Sequence, residues 1–201
     1  MDNKSEVSVA RSMTAFNVPL DAGPQTGPIS KNMAIWKVRL ARGTDRTELS
    51  KMRSLLWPDS PPKEHLAELD VLLSSGMSGT MPMVILVAED QQRGLTGFLE
   101  LGLRSHADGC SVVRPVAFVE GWYVQKPFRK RGIGKALIRA AEDWARAKGC
   151  LEMASDALID NTGSQRAHEA LGFEVVDRCV HFRKLISKTG GTAKGAERGS
   201  S

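Results

Sequence analysis

The spacing of hydrophobic and polar positions changes period several times along this chain, and each change marks an element. Residues 35–40 read as a first strand. After Thr44, a residue type suited to cap a helix, Leu49, Met52, Leu55 and Leu56 recur at helical spacing until Pro58 stops them. A second helix follows Pro61 and Pro62 and carries Leu66, Leu69, Leu72 and Leu73. Residues 83–88 and 96–103 predict paired strands around a turn at 90–94, and the largely apolar run 116–124 predicts the central strand. Helical spacing returns over 135–145. A strand over 151–154, a short helix opened by Asn161 and a last strand over 182–186 complete the order. No repeat interrupts it. The pattern predicts one α/β domain over residues 33–186, with a flexible leader over 1–32 and a flexible tail over 187–201, where Gly, Pro, Ser and charged residues show no sustained period. Met33 offers an alternative start.

Composition narrows the class. Of 201 residues, 41% are hydrophobic and 25% charged, as in a soluble globule that buries its own core. No apolar run approaches the ~18 residues of a membrane span, and the leader has no apolar segment of the secretory kind. A cytoplasmic protein with no membrane partner is expected. Cys110, Cys150 and Cys179 form neither a metal-binding spacing nor an even disulfide set, so reduced thiols and no metal are expected. The formal charge is +5, but it is not spread evenly. Residues 1–32 balance three cations against three acids and residues 187–201 hold three cations and one acid, which leaves the core at +3. Lys126, Arg129, Lys130, Arg131 and Lys135 concentrate five positive charges within ten residues. So local a cluster suits a ligand with grouped phosphates; a nucleic-acid groove needs cations and aromatics along several elements, and no such partner is expected.

That cluster lies between the central strand and the helix over 135–145. Unpaired N–H groups at a helix start and the positive end of its dipole favour an anion, and Gly132 and Gly134 let it approach the backbone. The spacing does not fit a Walker loop, because Gly132 and Gly134 are too close and Ala136 follows Lys135. A dinucleotide fingerprint lacks its third glycine. What remains is R-x-x-G-x-G, filled by Arg129, Gly132 and Gly134. This run resembles the pyrophosphate loop of the GNAT acetyltransferase superfamily, and residues 161–174, an Asn opening a helix that ends in Leu171-Gly172-Phe173, resemble its second signature. The resemblance implies a mixed, mostly antiparallel sheet with splayed central strands and flanking helices, and acetyl-CoA as cosubstrate. It assigns Arg129, Lys130, Arg131, Gly132, Ile133, Gly134 and Lys135, with Tyr123, Val124 and Asn161, to the acetyl-CoA side. Gly121, in mid-strand, suits a bulge at the splay.

The acceptor side is similar to aminoglycoside 6'-N-acetyltransferases, through Leu56-Trp57-Pro58, Phe118-Val119-Glu120-Gly121 and Glu152-Met153-Ala154-Ser155-Asp156. That resemblance implies an aminoglycoside substrate, a role in antibiotic resistance, a homodimer, and acceptor positions at Trp57, Glu120, Asp156 and Asp177. Asp177 stands where the resemblance leads one to expect Glu, and Ser60 where it leads one to expect His. Carboxylates are also what the chemistry of a polyammonium sugar requires. Glu120 sits inside an apolar run, where it needs a cavity or a partner such as Arg114 or Arg178. Asp156 ends a strand, where it can hold a ligand or cap the next segment; Trp57 can cover a sugar ring or join the core. For direct acyl transfer Asp156, with Glu120, is the candidate base, and a backbone N–H near Tyr123 or Val124 the candidate oxyanion donor. His168 occupies the place of a Tyr that protonates the leaving thiolate in many GNAT enzymes; it can serve as that acid or as a structural side chain. Acetylation of another small-molecule or peptide amine, and a non-catalytic CoA-binding module, are the alternatives.

Overall fold

A computed structural model describes residues 36–185. The expected leader and tail, with Ile35 and Ile186, lie outside the described residues. The elements run β1 (Trp36–Leu40), α1 (Arg46–Leu56), α2 (Pro62–Ser75), β2 (Met77–Ser78), β3 (Met81–Asp90), β4 (Gly94–Arg104), β5 (Val116–Val124), α3 (Ile133–Ala147), β6 (Met153–Ser155) and α4 (Thr162–Glu169). The sheet order is β1-β3-β4-β5-β6, with β2 paired to β3. Every pairing is antiparallel except that of β5 with β6. The mixed, mostly antiparallel architecture read from the sequence is therefore present.

Side-chain alternation along the strands builds two large cores among the described residues, one on each sheet face, beside a small cluster of Ala107, Val116 and Phe118. Leu86, Ala88, Leu99, Leu101, Ala117 and Val119 point to one side, where α3 lays down Ile133, Leu137, Ile138, Ala141 and Ala145. Those α3 positions recur at three- and four-residue steps, so one stripe of the helix is buried and the other faces water. Ile85, Val87, Leu95 and Phe98 point the opposite way and meet Leu49, Met52 and Leu69 of α1 and α2. A fully buried Leu or Phe contributes about 1.5–3 kcal/mol, so these two layers clamp the sheet from both sides.

Two elements differ from the sequence expectation. Helix α1 starts at Arg46, after a 3₁₀ turn over Gly43–Asp45, rather than at a Thr44 cap. The Asp45 carboxylate accepts the Arg42 N–H at 2.7 Å and two Arg39 bonds at 2.7 and 3.0 Å, which tightens the entry into a turn. The Arg39 guanidinium holds that carboxyl below its usual range. The strand expected over 182–186 is absent from the described residues: the chain from Leu171 to Leu185 follows no regular structure, and Phe182 and Leu185 are exposed. Strand propensity counts only when a neighbour supplies ladder bonds, and none pairs with this segment among the described residues.

Candidate active site

The basic loop folds as a backbone nest at the start of α3. Arg129 turns back and donates Nε–H to the Val124 carbonyl at 2.9 Å, which fixes the base of the loop to the end of β5. Lys130 (φ +61°) and Gly132 (φ +83°) are left-handed, so the chain reverses twice before the helix begins. The first helical bond runs from Ala136 N–H to Gly132 O. The N–H groups of Ile133, Gly134 and Lys135 thus have no carbonyl to meet within the helix. Buried Ile133 anchors the turn, while Lys130, Arg131 and Lys135 stay exposed around it. The two glycines serve different ends. A Cβ at Gly132 would meet open space, so its glycine answers to the sign of φ and keeps the approach clear. A Cβ at Gly134 would stand 2.7 Å from Trp122 Cζ2, so that glycine lets α3 rest on β5. Free N–H groups, three exposed cations and an open approach fit a diphosphate.

Beside the nest, β5 and β6 part. They pair from Ala117↔Met153 to Val119↔Ser155, and β6 then ends while β5 continues through Val124. On its other side β5 stays in register with β4 except at one bulge: Glu100↔Gly121 and Leu101↔Val119 leave Glu120 without a residue opposite. The bulged residue is thus Glu120, one position before the expected Gly121. Gln125 N–H reaches Thr96 O on β4, and because backbone direction alternates, Tyr123 also faces β4 while Trp122 and Val124 face the open side. Of the two N–H groups named as candidate donors, only that of Val124 points into the gap.

On the α1–α2 side of the sheet lies a cavity of about 670 Å³ lined by residues from α1, α2, β2, β3, β4 and β5. Trp57 and Glu120 both border it. Trp57 is half-buried, with its ring so close to Gly121 that a Cβ there would be 2.5 Å from Cη2. The Arg53 guanidinium lies 5.1 Å from the ring centroid, and the Trp57 carbonyl accepts from His65 Nε2 at 3.2 Å. Trp57 is therefore core on one side and cavity wall on the other. Glu120 is paired, with Arg104 rather than Arg114 or Arg178: two bonds of 3.0 and 2.6 Å form a fork while the same guanidinium lies over Phe118.

Sequence reading missed the other charged groups of this cavity. Arg53 and Glu100 are almost wholly buried, and Arg53 Nε stands 3.2 Å from Glu100 Oε1, off the line of a hydrogen bond. Arg53 Nη2 donates a 2.6 Å bond to Glu68 instead. Burial raises the Glu100 carboxyl to about 7, with Arg53 opposing and Glu68 and Glu120 adding to the rise. The signal was available: Glu100 interrupts an apolar strand as Glu120 does, and Arg53 falls on the apolar stripe of α1, four residues after Leu49.

The remaining candidates lie around α4. Asn161 caps this helix, its side chain accepting the Ser164 N–H at 3.1 Å. His168 is engaged at both nitrogens: Nδ1–H donates to the Ser164 carbonyl at 2.8 Å, and Nε2 meets Ser155 Oγ at 3.0 Å. Its ring stands edge-on between Trp122 and Phe173, tying α4 to the ends of β5 and β6. Asp156 follows β6 directly, is exposed, and makes no hydrogen bond or ion pair among the described residues. Asp177 is exposed on the irregular segment and accepts only the Arg178 N–H, at 2.5 Å. Neither Asp156 nor Asp177 borders the cavity. Cys110, Cys150 and Cys179 are free thiols. Among the described residues no helix is long and apolar enough to cross a membrane.

Comparison with known proteins bears on this site. The profile of the acetyltransferase (GNAT) family matches residues 49–173. The chain is 42% identical to aminoglycoside N(6')-acetyltransferase type 1 of Klebsiella aerogenes over 149 residues, which are 74% of this chain and 96% of that protein. It is 39% identical to the enzyme of the same name from Salmonella typhimurium, across 71% of this chain and 97% of the relative. Among solved structures it is similar to AAC(6')-Iy in complex with the bisubstrate analogue CoA-S-monomethyl-acetylneamine, with TM-score 0.68, 35% identity, and 76% and 99% of the two chains covered. It is also similar to AAC(6')-Ih from Acinetobacter baumannii, with TM-score 0.67, 32% identity, and 76% and 99% covered.

Proposed function

This chain belongs to the GNAT acetyltransferase family, and from that premise we propose that it transfers the acetyl group of acetyl-CoA to the 6'-amino group of aminoglycosides and so confers resistance to them. The observation that carries the substrate class is the cavity beside the β5 bulge: Glu68, Glu100 and Glu120 border it with Trp57 and outnumber the guanidiniums of Arg53 and Arg104, a lining suited to a sugar bearing ammonium groups. Acetyl-CoA supplies the activated acyl group. The nest at Gly132 to Lys135, with Lys130 and Arg131, holds its diphosphate, and Asn161 orders the loop on the opposite bank.

A bound ammonium has no lone pair, so it attacks the thioester only after losing a proton. Asp156, exposed at the end of β6 and free of any partner among the described residues, accepts that proton directly or through water. Glu120, fixed by Arg104, holds the positive acceptor beside it. The Val124 N–H points into the gap and donates to the carbonyl oxygen as negative charge develops there. Collapse of the adduct breaks the C–S bond and expels the CoA thiolate, which takes up the second proton released by the former ammonium nitrogen, and leaves the amide. His168 positions α4 against β5 and β6; acting as acid toward the thiolate would require its Ser155 bond to open. The enzyme works in the cytoplasm as a homodimer.

The test is an assay of CoA release with purified protein, run with kanamycin-type aminoglycosides, polyamines and peptides. Release with aminoglycosides, and the 6'-acetamide in the product, is the expected result. Release with polyamines or peptides alone would assign another amine, and no release with any acceptor would leave a CoA-binding module.

A further inference from the structure

The charges around the acceptor cavity do not balance, and the imbalance falls on one residue. Three carboxylates, Glu68, Glu100 and Glu120, border it with two guanidiniums, Arg53 and Arg104. Arg104 is committed to Glu120 by its two-bond fork. Arg53 donates a 2.6 Å bond to Glu68 and passes Glu100 only off-line, at 3.2 Å from Nε. Glu100 is thus the surplus acid. It is 2% exposed, its Oε1 meets no donor, and no hydrogen bond reaches either oxygen among the described residues. His65 Nδ1, also without a partner, borders the same cavity; because its Nε2–H is given to the Trp57 carbonyl, Nδ1 of the neutral ring offers a lone pair rather than a proton. Two unserved acceptors at the floor of a cavity call for a ligand that brings donors and positive charge.

Strand register sets the reach. Glu100 lies opposite Gly121, next to the bulged Glu120, so the two carboxylates flank one bulge. Neighbouring strands lie about 4.8 Å apart and both side chains border the cavity, so groups held at Glu100 and at Glu120 can belong to one sugar ring.

We propose that Glu100 is a specificity-determining residue, which binds a second ammonium on the same sugar ring that carries the reacting amine. The inference rests on the aminoglycoside reading above and adds to it which acceptors are preferred. An ammonium brings both the charge and the hydrogens that Arg53 does not direct at Glu100, and it offsets the desolvation that raises this carboxyl.

Kanamycin A and kanamycin B test it, since they differ on that ring by a hydroxyl against an amine at the 2' position. Affinity for each is measured by calorimetry on wild type and Glu100→Gln, with circular dichroism to verify the fold. Glu100→Gln should weaken kanamycin B by about tenfold, the lower range for a hydrogen bond to a charged group, and kanamycin A by no more than about twofold. An equal change for both, or none for either, overturns the proposal. If Glu100→Gln does not fold, Glu100→Asp keeps the charge and withdraws it by one methylene; a loss confined to kanamycin B supports the proposal, and equal losses overturn it. Wild-type CoA release with both acceptors keeps the two questions apart. Absence of release would remove the underlying function, whereas release with an unchanged preference in the variants would remove only the role of Glu100.

Discussion

Replacing Gly121 by Ala probes how the bulge and the cavity wall depend on each other. The added Cβ would stand 2.5 Å from Trp57 Cη2, 2.6 Å from Cζ2 and 3.2 Å from Leu56 Cδ2. Ordinary carbon contacts lie at about 3.5–4.0 Å, so ring and strand must part by roughly 1 Å. The indole cannot retreat freely, since Phe98 packs edge-on at 6.3 Å between centroids and Arg53 lies over the ring. Overpacking of this kind costs about 1–3 kcal/mol. Against it, Gly121 is not left-handed, so Ala stabilises by about 0.4–1 kcal/mol through the unfolded chain. The net loss is about 1–2 kcal/mol, which at about 2–4 °C per kcal/mol for a chain of this size lowers Tm by about 2–8 °C. The displaced ring also changes the cavity, so KM for the aminoglycoside should rise while KM for acetyl-CoA holds. Trp57→Phe removes both crowding ring carbons, and Gly121→Ala combined with it should cost less than the two changes summed. A Gly121→Ala protein with unchanged or higher Tm and unchanged acceptor KM would refute the idea that the Trp57 contact constrains this strand.

Gly132→Asp puts a left-handed demand on a carboxylate at the mouth of the nest and should weaken CoA binding roughly 100-fold or more, whereas Arg129→Ala should cost less because that side chain serves the Val124 carbonyl; calorimetry giving near-normal CoA affinity in folded Gly132→Asp would remove the loop assignment. Asp156→Asn keeps shape and loses the base, so kcat should fall by about 10²–10⁴-fold, and an ascending limb of the pH–rate profile that survives unchanged would reduce Asp156 to a binding group. Glu100, at about 7 in the fold against 4.5 for an ordinary Glu, keeps a proton that the unfolded chain has released, so its contribution to stability falls as pH rises between those values. Wild type should lose stability across that window relative to Glu100→Gln, by at most a few kcal/mol, and a wild-type-to-variant stability difference from urea unfolding that is the same at pH 4.5 and 7.5 would contradict it.

The limits of the sequence reading follow from which facts are local. Strand β5 matches residues 116–124 because its apolar run is bounded by Arg114-Pro115 on one side and Gln125-Lys126 on the other. The R-x-x-G-x-G loop was legible for the same reason, since a nest is made by consecutive residues. Ion pairing is not local. Arg104 reaches Glu120 from the neighbouring strand and Arg39 occupies Asp45 from β1, and no spacing rule names such partners. The cavity joins Arg53, Glu68, Glu100 and Glu120 from four elements, so only the anomaly of a charge in an apolar stretch pointed to any of them. Applied to Glu120 alone, that rule found half of what it held for the strands.

On the proposed function, the bulge at Glu120 lets the sheet serve two ligands at once. Along β5, Ala117 and Val119 pack toward α3, while Phe118 meets the Arg104 guanidinium on the opposite side. Strict alternation would continue with Gly121 and Tyr123 toward α3 and Trp122 and Val124 toward α1. One extra residue inverts this. After Glu120 it is Gly121 that faces Trp57 and Tyr123 that meets Phe98, while Trp122 underlies Gly134 at the nest and Val124 joins the α3 core. Without the inversion the Trp122 indole would occupy the space of Trp57, and the helix carrying the nest would rest on a glycine. The same step points the Val124 N–H into the gap that opens where β6 ends. A carboxylate is the residue inserted because the bulge opens onto the acceptor cavity, where Arg104 holds it and an ammonium is expected. On the proposed function, the residue that sets the backbone for the acyl donor thus also faces the acceptor, and deleting it should abolish both bindings together.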